Sequence, residues 1–291
     1  MTDPRPGSAR DQFASDWLTL REPADHAARA TPLNALLRDW LEQDSEHPVS
    51  VVDLGAGLGS NLRYLAPRLP GPQSWTLVDH DPVLLEAAMH RCADVRDSGG
   101  QRIASQPLQA DLRRFDTWTP LITFETRLLT ASALLDLVST EWLESLVSQV
   151  LQHHLAVLMV LSVDGDFGCS TKHPDDPLIR AAFNAHQRGE GPFGKGLGPD
   201  ATAALSERLI GAGYRLQRAA SPWHVSPQQA DLQRGLIQGW YEAATEQQPE
   251  QAGRIADWAQ QRLHEVGTPG FDLWVGHTDL LALPPATADG A

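Results

Sequence analysis

The chain is poor in lysine and cysteine and has no long apolar run. Its 291 residues include two lysines, Lys172 and Lys195, and two cysteines, Cys92 and Cys169. The cysteines are too few and too far apart for a disulfide framework or a metal-ligand motif, which favours a reducing compartment and predicts no metal site. The longest apolar stretch, 155–163, is far too short to cross a bilayer.

Positive charge is also scarce. Lys and Arg together number 23 against 37 Asp and Glu, which gives a net charge of −14. Binding of a bare nucleic-acid backbone requires clustered Lys and Arg, so we expect no nucleic-acid partner. No apolar signal segment is visible near residue 1, so we expect a cytoplasmic protein without a membrane partner.

Strands and helices alternate along most of the chain. Two or three helices are predicted within 11–41. The predicted strands then lie at 49–54, 74–78, 102–109, 127–131, 156–163, 214–220 and 271–281. Strands that alternate with helices predict a parallel sheet with right-handed crossovers.

The most informative motif is Val-Val-Asp-Leu-Gly-Ala-Gly-Leu-Gly at 51–59. An apolar strand ends in Asp53 and is followed by Gly55, Gly57 and Gly59, and then by a predicted helix. Glycine allows a sharp turn and lets a ligand lie against the main chain. The amides at the helix N-terminus suit an anionic or polar ligand group. A nucleotide-like ligand is therefore the first hypothesis.

Two further strands end in polar residues, at the edge where doubly wound sheets bind ligands. Asp79 ends the second strand, and its carboxylate can accept both ribose hydroxyls. The alternative is a cap of the next helix, for which Asp81 is better placed. His80 can lie against an adenine face. After the third strand, Asp111 can accept from an adenine amino group and Leu112 can form an apolar wall.

The glycine loop and these strand-end residues resemble the class I S-adenosylmethionine-dependent methyltransferases over roughly residues 45–165. The resemblance implies a doubly wound, Rossmann-like α/β sheet of seven strands, mostly parallel with an antiparallel last strand. N-terminal helices and helical insertions would be added to it. The implied cofactor is S-adenosylmethionine, with S-adenosylhomocysteine as its product.

The predicted cofactor-binding residues come from the N-terminal helices, the loop and the strand ends: Arg21, Asp53, Gly55, Ala56, Gly57, Asn61, Asp79, His80, Asp111, Leu112 and Ala131. By resemblance, Gly55 and Gly57 line the methionine end, and Ala131 contacts it through its carbonyl. Arg21 is a candidate partner for the cofactor carboxylate, with a solvated helix residue as the alternative.

Two other functions remain open. A dinucleotide fingerprint requires a third glycine or alanine where this chain has Ser60, so an NAD(P)-dependent oxidoreductase is less favoured. A non-catalytic, regulatory protein that binds S-adenosylmethionine is the third hypothesis. Binding of S-adenosylhomocysteine or of NADH separates the first two.

The favoured function is methyl transfer to a small-molecule acceptor by in-line substitution. Such transfer requires alignment of the acceptor, and a base only where the acceptor loses a proton. The candidate catalytic residues are His173, His186 and Asp136. An ordinary surface position is the alternative for each histidine, and helix capping for Asp136. Trp223 and Trp240 are predicted core residues that could instead sandwich a planar acceptor.

We expect a monomer or homodimer with one methyltransferase domain at 11–284, between loose tails at 1–10 and 285–291. The domain comprises an N-terminal helical cap (11–45), the cofactor-binding core (46–164), a lid-like insertion (165–200) and the C-terminal part of the sheet with a long helical insertion (201–284).

Overall fold

The computed structural model describes residues 9–44 and 47–285, with side chains from residue 15 onward. The helices are α1 Ala9–Ala28, α2 Thr31–Glu42, α3 Ser60–Leu65, α4 Pro82–Cys92, α5 Phe115–Trp118, α6 Thr140–Gln152, α7 Asp176–Gln187, α8 Ala201–Gly211, α9 Ala230–Gln247 and α10 Ala252–Glu265. The strands are β1 Val49–Leu54, β2 Gln73–Asp79, β3 Ala104–Gln109, β4 Thr126–Ser132, β5 Ala156–Cys169, β6 Glu190–Gly191, β7 Gly194–Lys195, β8 Arg215–Ala220, β9 Trp223–Val225 and β10 Leu273–Leu283.

The predicted tails fall largely outside the described residues, which leave out 1–8 and 286–291. Helix α1 begins at Ala9, two residues inside the segment predicted to be loose. Pro23 lies within this helix.

The main sheet has the strand order β3-β2-β1-β4-β5-β10-β8, and the short strand β9 pairs with β10. The first five strands are parallel. Strand β10 lies between β5 and β8 and is antiparallel to both. The predicted fold class, seven strands with an antiparallel last strand, is therefore confirmed, and β9 is an addition to it.

The central strands are apolar runs that are buried on both faces, as is typical of parallel sheets. Successive side chains of a strand point to opposite faces. In β4, Leu128 therefore packs with α2, α3 and α4, and its neighbour Leu129 packs with α6 and α8. In β5, Leu158 and Val157 divide between the same two cores.

A third core lies beyond the end of the central sheet. Strand β5 continues to Cys169, where it pairs with Leu273 at the start of β10. Helices α7, α9 and α10 pack on this extension, and Phe167 stacks on Trp240 with ring centroids 4.3 Å apart. Trp240 is 2% exposed, as the core interpretation predicts.

No helix among the described residues has the length and apolar character needed to span a bilayer. No group of three or more His, Cys, Asp or Glu side chains in the same residues is arranged to hold a metal ion.

Candidate active site

A cavity of about 530 Å³ lies at the carboxyl ends of β1, β2 and β4. Helix α1 forms one wall, and Pro192 and Phe193 of the 165–200 insertion form part of another. Eight of the predicted cofactor-binding residues line this cavity: Arg21, Gly55, Ala56, Gly57, Asp79, His80, Asp111 and Leu112. Its volume lies in the range that small-molecule sites occupy.

The glycine loop bends against the cavity in a conformation that favours glycine. Gly55, Gly57 and Gly59 have φ of 68°, 50° and 75°, in the left-handed region. The Gly55 amide donates to the Val78 carbonyl oxygen at 2.8 Å, which ties the loop to β2. A Cβ built on Gly57 would lie 3.2 Å from Leu18 Cδ1 of α1. Glycine therefore keeps the backbone of the loop accessible from the cavity.

Contacts from α1 hold this helix over the loop. Glu22 and Arg63 form an ion pair at 2.5 Å. His26 Nε2 lies 3.0 Å from Ser60 Oγ, the first residue of α3. Because both contacts join α1 to the first turns after the glycines, the N-terminal helix is part of the site.

Asp79 lies at the end of β2 and is 6% exposed. Its Oδ2 accepts a hydrogen bond from the Gly57 amide at 2.8 Å, and its Oδ1 accepts one from the Asp81 amide at 3.1 Å. His80 Nδ1 also lies 3.1 Å from Oδ1. Because a carboxylate has about four acceptor positions, Asp79 can still accept a further hydrogen bond. Asp81 caps α4 through Val83, which confirms the prediction that Asp81 is the cap.

Asp53 and Asn61 lie beneath the loop and do not line the cavity, in contrast to their predicted cofactor contact. Asn61 Nδ2 donates to Asp53 Oδ1 at 2.9 Å, and Arg29 Nη1 donates to Asn61 Oδ1 at 2.8 Å. Burial raises the pKa of Asp53 to about 7, against the Asn61 hydrogen bond and the Arg29 charge, and the Asp79 charge adds to the rise. The pair supports the loop from below.

The end of the cavity assigned to adenine carries an ion pair. Arg113 donates to both carboxylate oxygens of Asp111 at 2.6–3.0 Å. These hydrogen bonds are the main reason that the pKa of Asp111 falls to about 2. An adenine amino group would therefore share this carboxylate with Arg113. Leu112 is 6% exposed and provides the apolar wall.

At the other end of the cavity, the lining residues at the end of β4 start at Ser132, one position after the predicted Ala131. Ala131 is 2% exposed and pairs with Leu54 and Met159 inside the sheet. The lining starts at Ser132 and continues through Ala133 and Leu134. The shift follows from the length of β4, which extends to Ser132.

Arg21 lines the cavity and is already paired. Its Nε and Nη2 donate to Asp25 Oδ2 and Oδ1, each at 3.0 Å. Its guanidinium carbon lies 4.8 Å from the ring centroid of Trp223. In the described part of the chain, Arg21 Nη1 makes no hydrogen bond. One donor therefore remains for a ligand.

The two candidate histidines are placed elsewhere. His173 Nε2 lies 3.0 Å from Gln261 Oε1, and His186 Nε2 lies 3.0 Å from Glu246 Oε2. Neither residue lines the cavity. Both serve the packing of the α7 region on α9 and α10, so the structure gives no geometric support for either as a base.

Asp136 does not line the cavity, although Leu134 and Leu137 on either side of it do. It is 7% exposed, and Oδ1 is buried without a hydrogen-bond partner among the described residues. Burial raises its pKa to about 6, against the backbone amides of Asp136 and Val163 and the charge of Arg21. It remains a candidate for chemistry at this end.

Sequence reasoning missed several lining residues, including Leu18, Asp25, Arg113, Ser132 and Phe193. A signal existed for Asp25, because it lies one helical turn after Arg21. Phe193 belongs to the glycine-rich loop that was predicted to form a lid. Nothing in the sequence pattern indicates which of its side chains reaches the cavity.

Comparisons with known proteins gave structural matches only. No protein-family model matches the sequence, and no curated protein matches it. Among solved structures, phosphoethanolamine N-methyltransferase 2 of Haemonchus contortus, in complex with phosphomonomethylethanolamine and S-adenosylhomocysteine, is 13% identical with a TM-score of 0.45. The match covers 95% of this chain, which spans 58% of the Haemonchus contortus chain.

Two further matches have similar scores. A S-adenosylmethionine-dependent methyltransferase of Geobacter sulfurreducens, in complex with S-adenosylhomocysteine, is 16% identical, with 93% of this chain and 98% of that chain covered and a TM-score of 0.42. An arsenic(III) S-adenosylmethionine methyltransferase of Chlamydomonas reinhardtii is 14% identical, with coverages of 83% and 65% and a TM-score of 0.42.

Proposed function

We propose that this chain is an enzyme that transfers a methyl group from S-adenosylmethionine to a small-molecule acceptor. One observation carries the proposal. A left-handed glycine loop after β1 and the carboxylate at the end of β2 face the same cavity of about 530 Å³. Ligands of doubly wound sheets bind at these carboxyl ends.

The residues at this edge fit the cofactor along its length. Asp79 has acceptor positions left for ribose hydroxyls, and Leu112 and His80 flank the adenine end. The glycine loop brings backbone close to the cavity at the opposite end, where Arg21 Nη1 can take a carboxylate. When bound, the cofactor supplies an electrophilic methyl group on a sulfonium.

The protein's own contribution is positioning and exclusion of water. Helix α1, fixed by the Glu22–Arg63 pair, covers the glycine loop. Phe193 borders the cavity from the insertion. Between them, Ser132 and Leu134 border the space where an acceptor would meet the methyl end. The acidic net charge supports a small acceptor rather than a nucleic acid, and we propose a cytoplasmic location.

The test is titration calorimetry with S-adenosylhomocysteine on matched variants. Asp79→Asn removes one carboxylate oxygen from the cavity and should weaken binding by about 1–3 kcal/mol, or roughly 5- to 150-fold. Asp81→Asn is the control, because asparagine is an equally good helix cap outside the cavity, and its affinity should stay within threefold of wild type.

Equal affinity of both variants for S-adenosylhomocysteine would show that Asp79 does not contact the cofactor. Catalysis needs a second measurement: incubation with methyl-labelled S-adenosylmethionine and a metabolite extract should give a labelled small molecule. Binding of S-adenosylhomocysteine without any label transfer would support the regulatory alternative instead.

A further inference from the structure

One face of helix α1 borders the cavity along the glycine loop. Leu18, Arg21 and Asp25 all line the cavity, and their spacing of three and four residues places them on the same side of the helix. Leu18 lies against the loop, since a Cβ built on Gly57 would be 3.2 Å from Leu18 Cδ1. His26, which follows Asp25, contacts the first turn of α3. Arg21 and Asp25 are therefore part of the wall beside the glycine loop.

Arg21 and Asp25 form an ion pair in which both groups keep free hydrogen-bonding positions. Arg21 Nε and Nη2 donate to Asp25 Oδ2 and Oδ1 at 3.0 Å each, and Nε also lies 3.3 Å from Oδ1. A carboxylate has about four acceptor positions, and these two donors use about half of them. Within the described chain, Arg21 Nη1 has no hydrogen-bond partner. The pair thus presents an anionic acceptor and a cationic donor side by side.

The Asp25 carboxylate is buried with less positive charge than it needs. The side chains of Arg21 and Asp25 are 15% and 12% exposed. Burial raises the pKa of Asp25, against the charge and the hydrogen bond of Arg21 and the charge of His26. Arg21 therefore offsets only part of the cost of taking this carboxylate out of water. A second cation beside Asp25 would favour the ionised carboxylate further.

The other charged side chains that line the cavity lie at the positions assigned above to ribose and adenine. In the part of the chain that the structure describes, these side chains are Asp79, His80, Asp111 and Arg113. Asp111 and Arg113 are paired with each other. Arg21 and Asp25 are thus the charged pair that remains for the amino-acid end of the cofactor.

The amino-acid end of S-adenosylmethionine carries an ammonium group and a carboxylate on the same carbon. With the ammonium on Asp25 and the carboxylate on Arg21 Nη1, the charges of protein and ligand alternate, and each group lies next to groups of opposite sign. Charge-assisted hydrogen bonds of this kind are stronger than neutral ones. A ligand without the ammonium would leave the buried Asp25 with Arg21 as its cationic hydrogen-bond partner.

We propose that Asp25 is a specificity-determining residue that binds the ammonium group of the cofactor, so that Asp25 and Arg21 together select a zwitterionic ligand end. The inference rests on the proposed use of S-adenosylmethionine. It adds to that proposal a second charged residue of α1 and a reason why this helix carries an acid one turn after its arginine.

Four ligands with the same thioadenosine part separate the two charges. S-adenosylhomocysteine carries both, its decarboxylated analogue carries the ammonium alone, its deaminated analogue carries the carboxylate alone, and 5′-methylthioadenosine carries neither. In calorimetric titration of the wild-type protein, the deaminated analogue should bind at least about tenfold more weakly than S-adenosylhomocysteine, the effect of one charge-assisted hydrogen bond. If S-adenosylhomocysteine does not bind, the proposed function fails. If it binds and the loss is smaller than this, the inference about Asp25 alone fails.

The variant Asp25→Asn assigns the effect to this carboxylate. Asparagine keeps the size of the side chain and can still accept from Arg21, but it lacks the negative charge. In the variant, the advantage of S-adenosylhomocysteine over its deaminated analogue should fall below about threefold, since a neutral acceptor binds an ammonium less strongly. Asp39→Asn, whose replaced side chain is 59% exposed on α2, is the matched control and should keep the wild-type advantage. A larger advantage remaining in Asp25→Asn would overturn the assignment.

A crystal structure of the wild-type protein with S-adenosylhomocysteine keeps the test independent of variant folding. The ammonium nitrogen should lie within about 3.2 Å of an Asp25 carboxylate oxygen. An ammonium held by backbone carbonyls of the glycine loop without Asp25 would contradict the proposal.

Discussion

Replacement of Asp136 by asparagine should change how the stability of the protein depends on pH. Burial raises the pKa of this carboxyl from 3.8 to about 6 in the folded chain. Each pKa unit corresponds to about 1.4 kcal/mol, so ionised Asp136 opposes folding by about 3 kcal/mol.

The direction of this pH dependence follows from the linkage between proton binding and folding. Because the folded-state pKa is raised, the folded protein holds this proton more tightly than the unfolded chain. The resulting stabilisation is complete below pH 3.8, the ordinary pKa, and is lost as the pH rises through about 6. Relative to Asp136→Asn, which does not titrate, the wild type should lose about 2.4 kcal/mol between pH 4 and pH 7.

Urea denaturation of both proteins at a series of pH values measures this difference. Asp53 also has a raised pKa, but it is present in both proteins and its contribution cancels. Asp39→Asn, whose replaced side chain is 59% exposed, is the control and should follow the wild-type curve. A constant difference between wild type and Asp136→Asn across this range would refute the reasoning.

Two further predictions concern the loop and α1. In urea denaturation, Gly59→Ala should destabilise the protein by about 1–2 kcal/mol more than Gly213→Ala. Both glycines have positive φ, so the backbone strain is shared. A new Cβ at position 59 would lie 2.7 Å from Cys92 Sγ, whereas a new Cβ at position 213 would meet nothing within 4 Å. Equal losses would argue against the tight packing of the loop. Arg21→Ala should weaken the binding of S-adenosylhomocysteine about tenfold, the effect of one charge-assisted hydrogen bond. The calorimetric affinity for 5′-methylthioadenosine, which lacks the carboxylate, should stay unchanged. Equal losses of affinity for both ligands would contradict the proposed contact between Arg21 and the carboxylate.

The sheet and its ligand-binding edge were predictable because their signals are local. Apolar runs that alternate with helical segments indicate parallel strands, and residues just after such strands lie at one edge. Asp79 and the loop glycines could therefore be assigned to the cavity from their positions alone. Asp53 belongs to the same motif, but only the structure reveals that its carboxylate bonds Asn61 beneath the loop.

The acceptor side was not predictable in the same way. Its residues come from α1, the segment after β4 and the 165–200 insertion, which meet only through long-range packing. Sequence gives the chemical type of His173, which precedes α7, and of His186 within it, but not which side of this region faces other helices. In the structure, α7 packs on α9 and α10, and both histidines bond to residues of those helices.

The central claim is that the cavity binds S-adenosylmethionine. Calorimetric titration of the wild-type protein with S-adenosylhomocysteine, and separately with NADH, tests it most directly. We predict saturable binding of one S-adenosylhomocysteine per chain and no binding heat with NADH. Binding of NADH with no heat from S-adenosylhomocysteine would contradict the account.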